Sequence, residues 1–341
     1  MPHGFGGPAG EGLIRERAED FQVDEILGFE PSGEGQHVYL QLRKRDSNTL
    51  WLAKRIAALA GASQRDLGYA GLKDRRALTS QWFSVDMKGR AEPDWQALES
   101  DQVQLLQVRR NPRKLRIGAL RGNRFRLWVR RLRALPEILE QRLQQLRDRG
   151  MPNYFGEQRF GQDYANLEQA QALFEARLGR IERKVRGLLI SAARSQLFNE
   201  VLAARIDCNG WEAPWSGDYF NLDGSRAGFT SEQIDQTLVE RCRALDIHPT
   251  GPLWGRGRAP VSDETLELEQ RVLGPYAIWR NGLEHVGLQQ DRRPLRVRVR
   301  DLQWQQTAPD ELLLEFSLPA GSYATALLRE LVQVDSANPE A

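Results

Sequence analysis

Cysteine is almost missing from this chain: Cys208 and Cys242 are the only two in 341 residues. They are too few and too far apart for a disulfide framework or a zinc site. The four histidines, His3, His37, His248 and His285, are scattered, so local spacing assembles no metal site from them. No segment approaches the ~18 uninterrupted apolar residues of a membrane span. The opening MPHGFGGPAGEG lacks the basic and apolar regions of a secretory signal. There is no Walker loop, and no G-x-G-x-x-G follows a strand pattern, which argues against a nucleotide cofactor. Repeats and low-complexity tracts are lacking too. The absences together predict a soluble, cytoplasmic protein with no cysteine/histidine metal site.

What is present is positive charge, unevenly placed. The net charge is only +2, yet Arg109 to Arg133 (RRNPRKLRIGALRGNRFRLWVRRLR) holds eleven Lys or Arg and no Asp or Glu. A second basic run, RRPLRVRVR, spans Arg292 to Arg300. Phosphate counter-charges would relieve the self-repulsion of the first run, which favours a nucleic-acid partner. The plainer reading is two solvated strand faces neutralised by acidic neighbours.

In QHVYLQLR, Val38, Leu40 and Leu42 alternate with Tyr39, Gln41 and Arg43, the period of a half-buried strand. A helix follows, capped by Ser47, Asn48 or Thr49, with Leu52, Ile56, Leu59 and Ala60 on one side and Gly61 at its end. RDLGYAGLKDRR reads as a turn and ALTSQWFSV as a strand. FRLWVRRL sets Phe125, Leu127 and Val129 against Arg126, Trp128 and Arg130, one face for a core and the other for a polyanion. From about Gly150 to Leu288 the texture turns helical, before strands return at LRVRVRDLQWQ and ELLLEFSLP. A helix, SYATALLRELVQ, closes the ordered chain, and the tail DSANPEA reads as disordered. Strands at both ends around a helical middle predict an α+β sheet domain split by an insertion.

Asp74 is the first candidate for chemistry. Lys73, Arg75 and Arg76 beside it favour its charged form, as a nucleophile requires. An isolated surface aspartate with ordinary ion pairs is the plainer account. The acidic cluster Glu19, Asp20, Asp24 and Glu25 could pair with Asp74 as a two-carboxylate glycosidase, or with a metal for phosphodiester cleavage. His37, at a strand edge, reads as structural. Phe21, Phe125, Tyr154, Phe155, Phe160 and Tyr323 lie in polar surroundings, each individually a core residue by default. A flipped base nevertheless needs a stacking ring and hydrogen bonds to its edge, and Asn123 could supply the latter. A non-catalytic RNA-binding protein, in which Asp74 only orders its loop, is the remaining alternative.

Read in order, EDFQVDEILGFEPSGEGQHVYLQLRK, AGLKDRRALTSQWFSV, LRGNRFRL, MPNYFGEQRFG, ISAARSQLFNEVLAARI, GPLWGRG and LPAGSYATALLREL resemble the TruD family of tRNA pseudouridine synthases. The resemblance runs from about Gly12 to Val332. It implies a pseudouridine synthase core, a mostly antiparallel mixed sheet flanked by helices, built from residues 1–149 and 298–341. A family-specific insertion domain would occupy 150–297. The implied activity is isomerisation of uridine 13 of tRNA to pseudouridine, with Asp74 labilising the C1′–N1 bond of a flipped-out uridine and the base rejoining through C5. By the same resemblance Phe21, Asn123 and Tyr323 contact the substrate and Arg15 pairs with Asp74. Tyr323 stands where bacterial relatives carry Phe, and Arg15 where Lys is usual; Arg keeps the charge but not the geometry. Lys73, Arg75, Arg76, Arg113, Lys114, Arg124 and Arg126 would grip the RNA backbone. No cofactor and no obligatory protein partner are implied, since the reaction needs no redox change or external donor.

Overall fold

A computed structural model describes residues 1–231 and 233–336. In chain order its first elements are β1 (Gly10–Ile14), β2 (Phe21–Leu27), β3 (His37–Arg45), α1 (Thr49–Leu59), β4 (Leu67–Tyr69), β5 (Leu78–Asp86), β6 (Val103–Asn111) and β7 (Leu120–Ala134). Then come α2 (Pro136–Arg149), β8 (Met151–Pro152), α3 (Ala165–Phe174), α4 (Arg183–Asp207), β9 (Tyr219–Leu222), β10 (Gly228–Thr230), α5 (Gln236–Arg243) and β11 (Ile247–Leu253). The last are α6 (Asp263–Leu273), α7 (Ala277–His285), β12 (Asp291–Pro294), β13 (Arg296–Val297), β14 (Arg300–Ala308), β15 (Glu311–Pro319), α8 (Ala324–Leu331) and β16 (Gln333–Ser336). The fold is α+β.

Packing divides the chain into two compact units. A sheet unit comprises Gly10–Ala134, Arg300–Gly321 and the end from Gln333; a helical unit comprises Met1–Ala9, Leu135–Val299 and Ser322–Val332. By packing, the first boundary falls at Leu135, because α2 packs on α8 and both belong to the helical unit.

The sheet unit is one mixed sheet in the order β14-β15-β7-β2-β5-β3-β6, with β1 and β16 attached beside β7 and β4 beside β5. All pairs are antiparallel except β2 with β5 and β1 with β16. The alternation in β3 places Val38, Leu40 and Leu42 against Leu52 and Ile56 of α1. Its other face is not solvated as a half-buried strand would be. Tyr39 packs with Trp82 and Leu115, and its hydroxyl donates to the Arg113 carbonyl (2.9 Å). His37 is buried where β3 runs between β5 and β6, not on a sheet edge. Helix α1 starts at Asn48, whose side chain accepts from Leu50 N–H, and stops before Gly61 at φ +58°. The stretch predicted as a turn includes β4, which pairs with β5 from Leu67 to Tyr69.

β7 carries out its predicted alternation: Phe125, Leu127 and Val129 are buried, while Arg124 and Arg126 are exposed. The tail expectation is corrected in part. Asp335 and Ser336 belong to β16, which runs parallel to β1; residues 337–341 lie outside those described.

In the helical unit α4 is the spine, with Ala193, Leu197 and Val201 packed against Leu273, Trp279 and Leu283. The predicted helical middle also contains a four-stranded antiparallel sheet, β10-β9-β11-β12. β11 reads IHPTGPL and β12 reads DRRP, so three prolines and a charge cluster hide the strand period. The second basic run turns inward. Arg292 is buried in a pair with Glu269 (2.6 Å), and Arg296 is buried on the carbonyls of Cys242 and Ile247. At these two positions the run is structural and offers no phosphate-facing surface.

Candidate active site

Three registers build the site in the sheet unit. β2 against β7 sets Glu25 opposite Asn123, and β2 parallel to β5 sets Asp24 beside Ser80. Gly122 lets the strands close up here, since a Cβ at that position would come within 2.3 Å of the Leu318 carbonyl oxygen. The loop from Gly71 to Arg76 enters above this floor. Gln81 Nε2 donates to Gly71 O (2.6 Å), Lys73 N–H donates to Thr49 Oγ1 (3.1 Å), and Lys44 Nζ donates to Asp74 O (3.1 Å). Three anchors from β3, α1 and β5 thus fix four consecutive residues of backbone up to Asp74.

Asp74 faces out, its side chain 50% exposed, and Arg15 Nη2 donates to its Oδ2 at 2.7 Å. Oδ1 has no hydrogen bond among the described residues. Arg15 reaches this position from the end of β1 through a left-handed backbone (φ +60°), uncommon for a side-chain-bearing residue. Its guanidinium lies 4.1 Å from the Phe21 ring centroid, a cation–π contact that holds the planar fork in place. Phe21 is itself 2% exposed and meets Phe125 edge-on, so its ring supports Arg15 from within the core.

The cations adjacent in sequence do other work. Lys73 turns inward: its ammonium lies 2.9 Å from Glu25 Oε1 and donates to Asn123 Oδ1 (2.8 Å). With a side chain only 7% exposed it is no longer open to an RNA backbone, which corrects that expectation. Burial pushes the Glu25 carboxyl above the ordinary range, opposed by the Lys73 charge and by the Trp82 N–H (2.9 Å). Burial likewise brings the Lys44 amine down to about 8, opposed by Asp74. Lys44 donates to the Ser47 carbonyl as well (2.6 Å). These two residues, Glu25 and Lys44, were not legible as support for the loop. Glu25 appeared only as a possible partner of Asp74, and Lys44 only as the last residue of a stretch resembling the family.

The acidic cluster disperses. Glu19 pairs with Arg45, Asp20 with Arg130, Asp24 accepts from Ser80 Oγ, and Glu25 holds Lys73. Each carboxylate is engaged away from Asp74, which removes the basis for a two-carboxylate glycosidase. Among the described residues no three His, Cys, Asp or Glu side chains converge as a metal-holding group.

Of the predicted backbone-gripping residues, Arg75, Arg113 and Arg124 are exposed. Arg126 pairs with Glu315 (3.2 Å), and Lys114 Nζ donates to the Arg65 carbonyl (2.6 Å). Arg76 is half-buried. Part of the first basic run is therefore neutralised as the plainer reading held: Arg110 by Glu92, Arg130 by Asp20 and Glu311, Arg131 by Glu16 and Arg133 by Glu11. Arg109 and Arg124 instead line a cavity of about 560 Å³ whose wall includes Glu25 and Trp82.

Tyr323 belongs to the helical unit. Its ring meets Phe155 edge-on, and its hydroxyl accepts from Arg159 Nε (3.1 Å) and Nη2 (2.7 Å). Tyr154, Phe155 and Phe160 are buried core residues of the same unit.

The family profile described as tRNA pseudouridine synthase D (TruD) matches residues 5–169 and 164–331. The chain belongs to the TruD family of tRNA pseudouridine synthases. It is 50% identical over 339 residues to the tRNA pseudouridine synthase D of Nitrosococcus oceani, covering 99% of this chain and 95% of that one. With the Methylococcus capsulatus enzyme of the same name it shares 49% over 335 residues, covering 98% and 95%. The solved structure of the putative TruD from Methanosarcina mazei superposes with a TM-score of 0.71, covering 97% and 96% of the two chains. At 21% identity that likeness speaks for the fold.

Proposed function

We propose that this protein isomerises uridine 13 of tRNA to pseudouridine, with Asp74 as the group that releases the base. Pseudouridine formation in tRNA is the family's reaction; the position and the residue roles are the reading argued here. The observation that carries it is the state of Asp74. Its backbone is pinned from three sides, one carboxylate oxygen is held by Arg15, and the other has no hydrogen bond among the described residues.

The chemistry asks for little else. The N1–C1′ bond breaks, the uracil turns, C5–C1′ forms, the C5 proton leaves and N1 takes up a proton. Atoms balance without redox change or an external donor. A carboxylate paired with Arg15 through one oxygen can attack C1′, or take a ribose proton to the same end, and is restored when the base rejoins. Asn123 would meet the uracil edge through its amide NH₂, because Lys73 already occupies its carbonyl oxygen. Phe21 would act through Arg15, and Tyr323 is a further substrate contact carried over from the family. Arg75, Arg113 and Arg124 would face RNA phosphates. Residues 1–149 and 298–341 would form the catalytic domain around a TruD-type insertion at 150–297, in a cytoplasmic enzyme that needs tRNA and no cofactor.

Tritium release from tRNA labelled as [5-³H]uridine tests this directly. Asp74→Asn should abolish release while tRNA binding stays within several-fold, and mapping should place the product at position 13. Unchanged release by Asp74→Asn would remove Asp74 from the chemistry. Product at another uridine would overturn the assigned position.

A further inference from the structure

We propose that the outer face of α1, centred on Trp51, is a stacking platform for a nucleobase of the substrate tRNA beside the target uridine. The inference rests on the reading of Asp74 as the reacting group. It concerns a surface to which the sequence pattern assigned only a core-facing helix.

Helix α1 buries Leu52, Ala53, Ile56 and Ala57 and leaves the opposite side to solvent. That side is not the ordinary polar face of a sheet-packing helix. Leu50 is 36% exposed and Trp51 40%, with the Arg55 guanidinium 5.0 Å from the Trp51 ring centroid. Lys54 is exposed next to them, and the helix from Thr49 to Leu59 contains no Asp or Glu. An exposed indole beside a stacked guanidinium, with cations and no carboxylate on its helix, suits a base with its phosphate. A membrane would not need the stacked Arg, and a protein partner with an apolar face would leave both cations unpaired.

The position is as informative as the composition. Thr49 ties the first turn of α1 to the reactive loop, accepting from Lys73 N–H (3.1 Å) and donating to Gln81 Oε1 (3.0 Å). Trp51 follows Thr49 by two residues, and Leu72, 62% exposed, precedes Lys73 by one. Trp51 therefore lies within one helical turn of the bond between Thr49 and Lys73, on the solvent side of α1 rather than on the side of Thr49. A nucleotide next to a uridine held at Asp74 would have this turn of α1 within reach. A flipped nucleotide leaves an unstacked neighbour, and an aromatic face repays that loss regardless of base identity.

The test is tRNA affinity measured in the Asp74→Asn background, where no turnover occurs, together with KM and kcat in the otherwise wild-type enzyme. Trp51→Ala should weaken binding about 10-fold, and Trp51→Phe should recover all but about threefold of it. The loss should appear in KM rather than kcat, with no change in thermal midpoint, because Trp51 supports no core. The salt slope of binding should be unaltered by Trp51→Ala, since stacking releases no counterions, and reduced by about one in Lys54→Ala. Affinity and KM unchanged in Trp51→Ala would overturn the proposal, as would a Trp51→Phe variant as weak as the alanine. The two readings fail separately. Wild-type enzyme without tritium release would sink the isomerase, yet leave a Trp51-dependent affinity intact. Normal release with an indifferent Trp51→Ala would sink only the platform.

Discussion

Two Asp–Arg pairs in this molecule use the same groups to opposite ends. In the helical unit Asp218 and Arg205 have side chains 0% and 1% exposed, and every acceptor position is filled. Asp218 Oδ1 accepts from Arg205 Nη1 (2.9 Å) and Thr265 Oγ1 (2.8 Å); Oδ2 accepts from Arg205 Nη2 (3.0 Å) and Trp215 N–H (2.8 Å). In the sheet unit Asp74 and Arg15 are 50% and 24% exposed and share one bond. The first pair is saturated and dry, so its charge is spent on architecture. The second keeps an oxygen unspent, and its rigidity comes from the backbone instead. The first carboxylate is closed by its neighbours, whereas the second stays accessible on a pinned backbone.

The contrast is open to direct attack. The largest expected effect is on turnover: Asp74→Ala should lower pseudouridine formation by at least about 10³-fold, with unfolding free energy within ~1 kcal/mol of wild type. Next comes Asp218→Ala, which strands the Arg205 charge and should cost about 3–5 kcal/mol in urea unfolding. If Asp74→Ala cost as much stability as Asp218→Ala, the distinction between the pairs would disappear. Glu25→Gln sharpens the picture further, because Lys73 loses its counter-charge and Asn123 its fixed orientation. Activity should fall about 10–100-fold. In the wild type the acid limb of the rate profile should lie above the ordinary carboxylate range, since burial raises Glu25 and its protonation releases Lys73; the variant should lack that limb. The smallest effect concerns Lys44. Its folded-state amine titrates at about 8 against 10.5 when free, so the unfolded chain holds more protons between those values. Stability should therefore rise with pH through that window by on the order of 2 kcal/mol, measured as the difference between wild type and Lys44→Met.

Local pattern made part of this readable. The alternation in β3 and β7 and the cap and stop of α1 are decided by neighbours in sequence. Packing on the second face of β3 was not, because Tyr39 and Gln41 look solvent-ready until Trp82 and Leu115 arrive from elsewhere. The same holds for the cations around Asp74. Sequence adjacency pointed to Lys73, yet the side chain at i−1 on an extended loop faces away, and strand register decides that it meets Glu25. The Arg15 partner came from family resemblance alone; nothing local connects residues 59 positions apart. Prolines disguised β11, and charge disguised the inward turn of Arg292 and Arg296. In each case the missing information was which distant segment supplies the second surface.

The order of strands beside β7 has a consequence for how the protein is made. β7 lies between β2, already synthesised, and β15, which follows the segment Leu135–Val299 in the chain. During translation its β15-facing edge, and the surface of Phe125, Leu127 and Val129, must wait on the order of tens of seconds for a partner. An unpaired edge of that length is an invitation to wrong pairing. Until then Arg124 and Arg126 mark that edge with like charges, the feature by which exposed edges resist pairing with a second copy, and β15 arrives with Glu315 to neutralise Arg126.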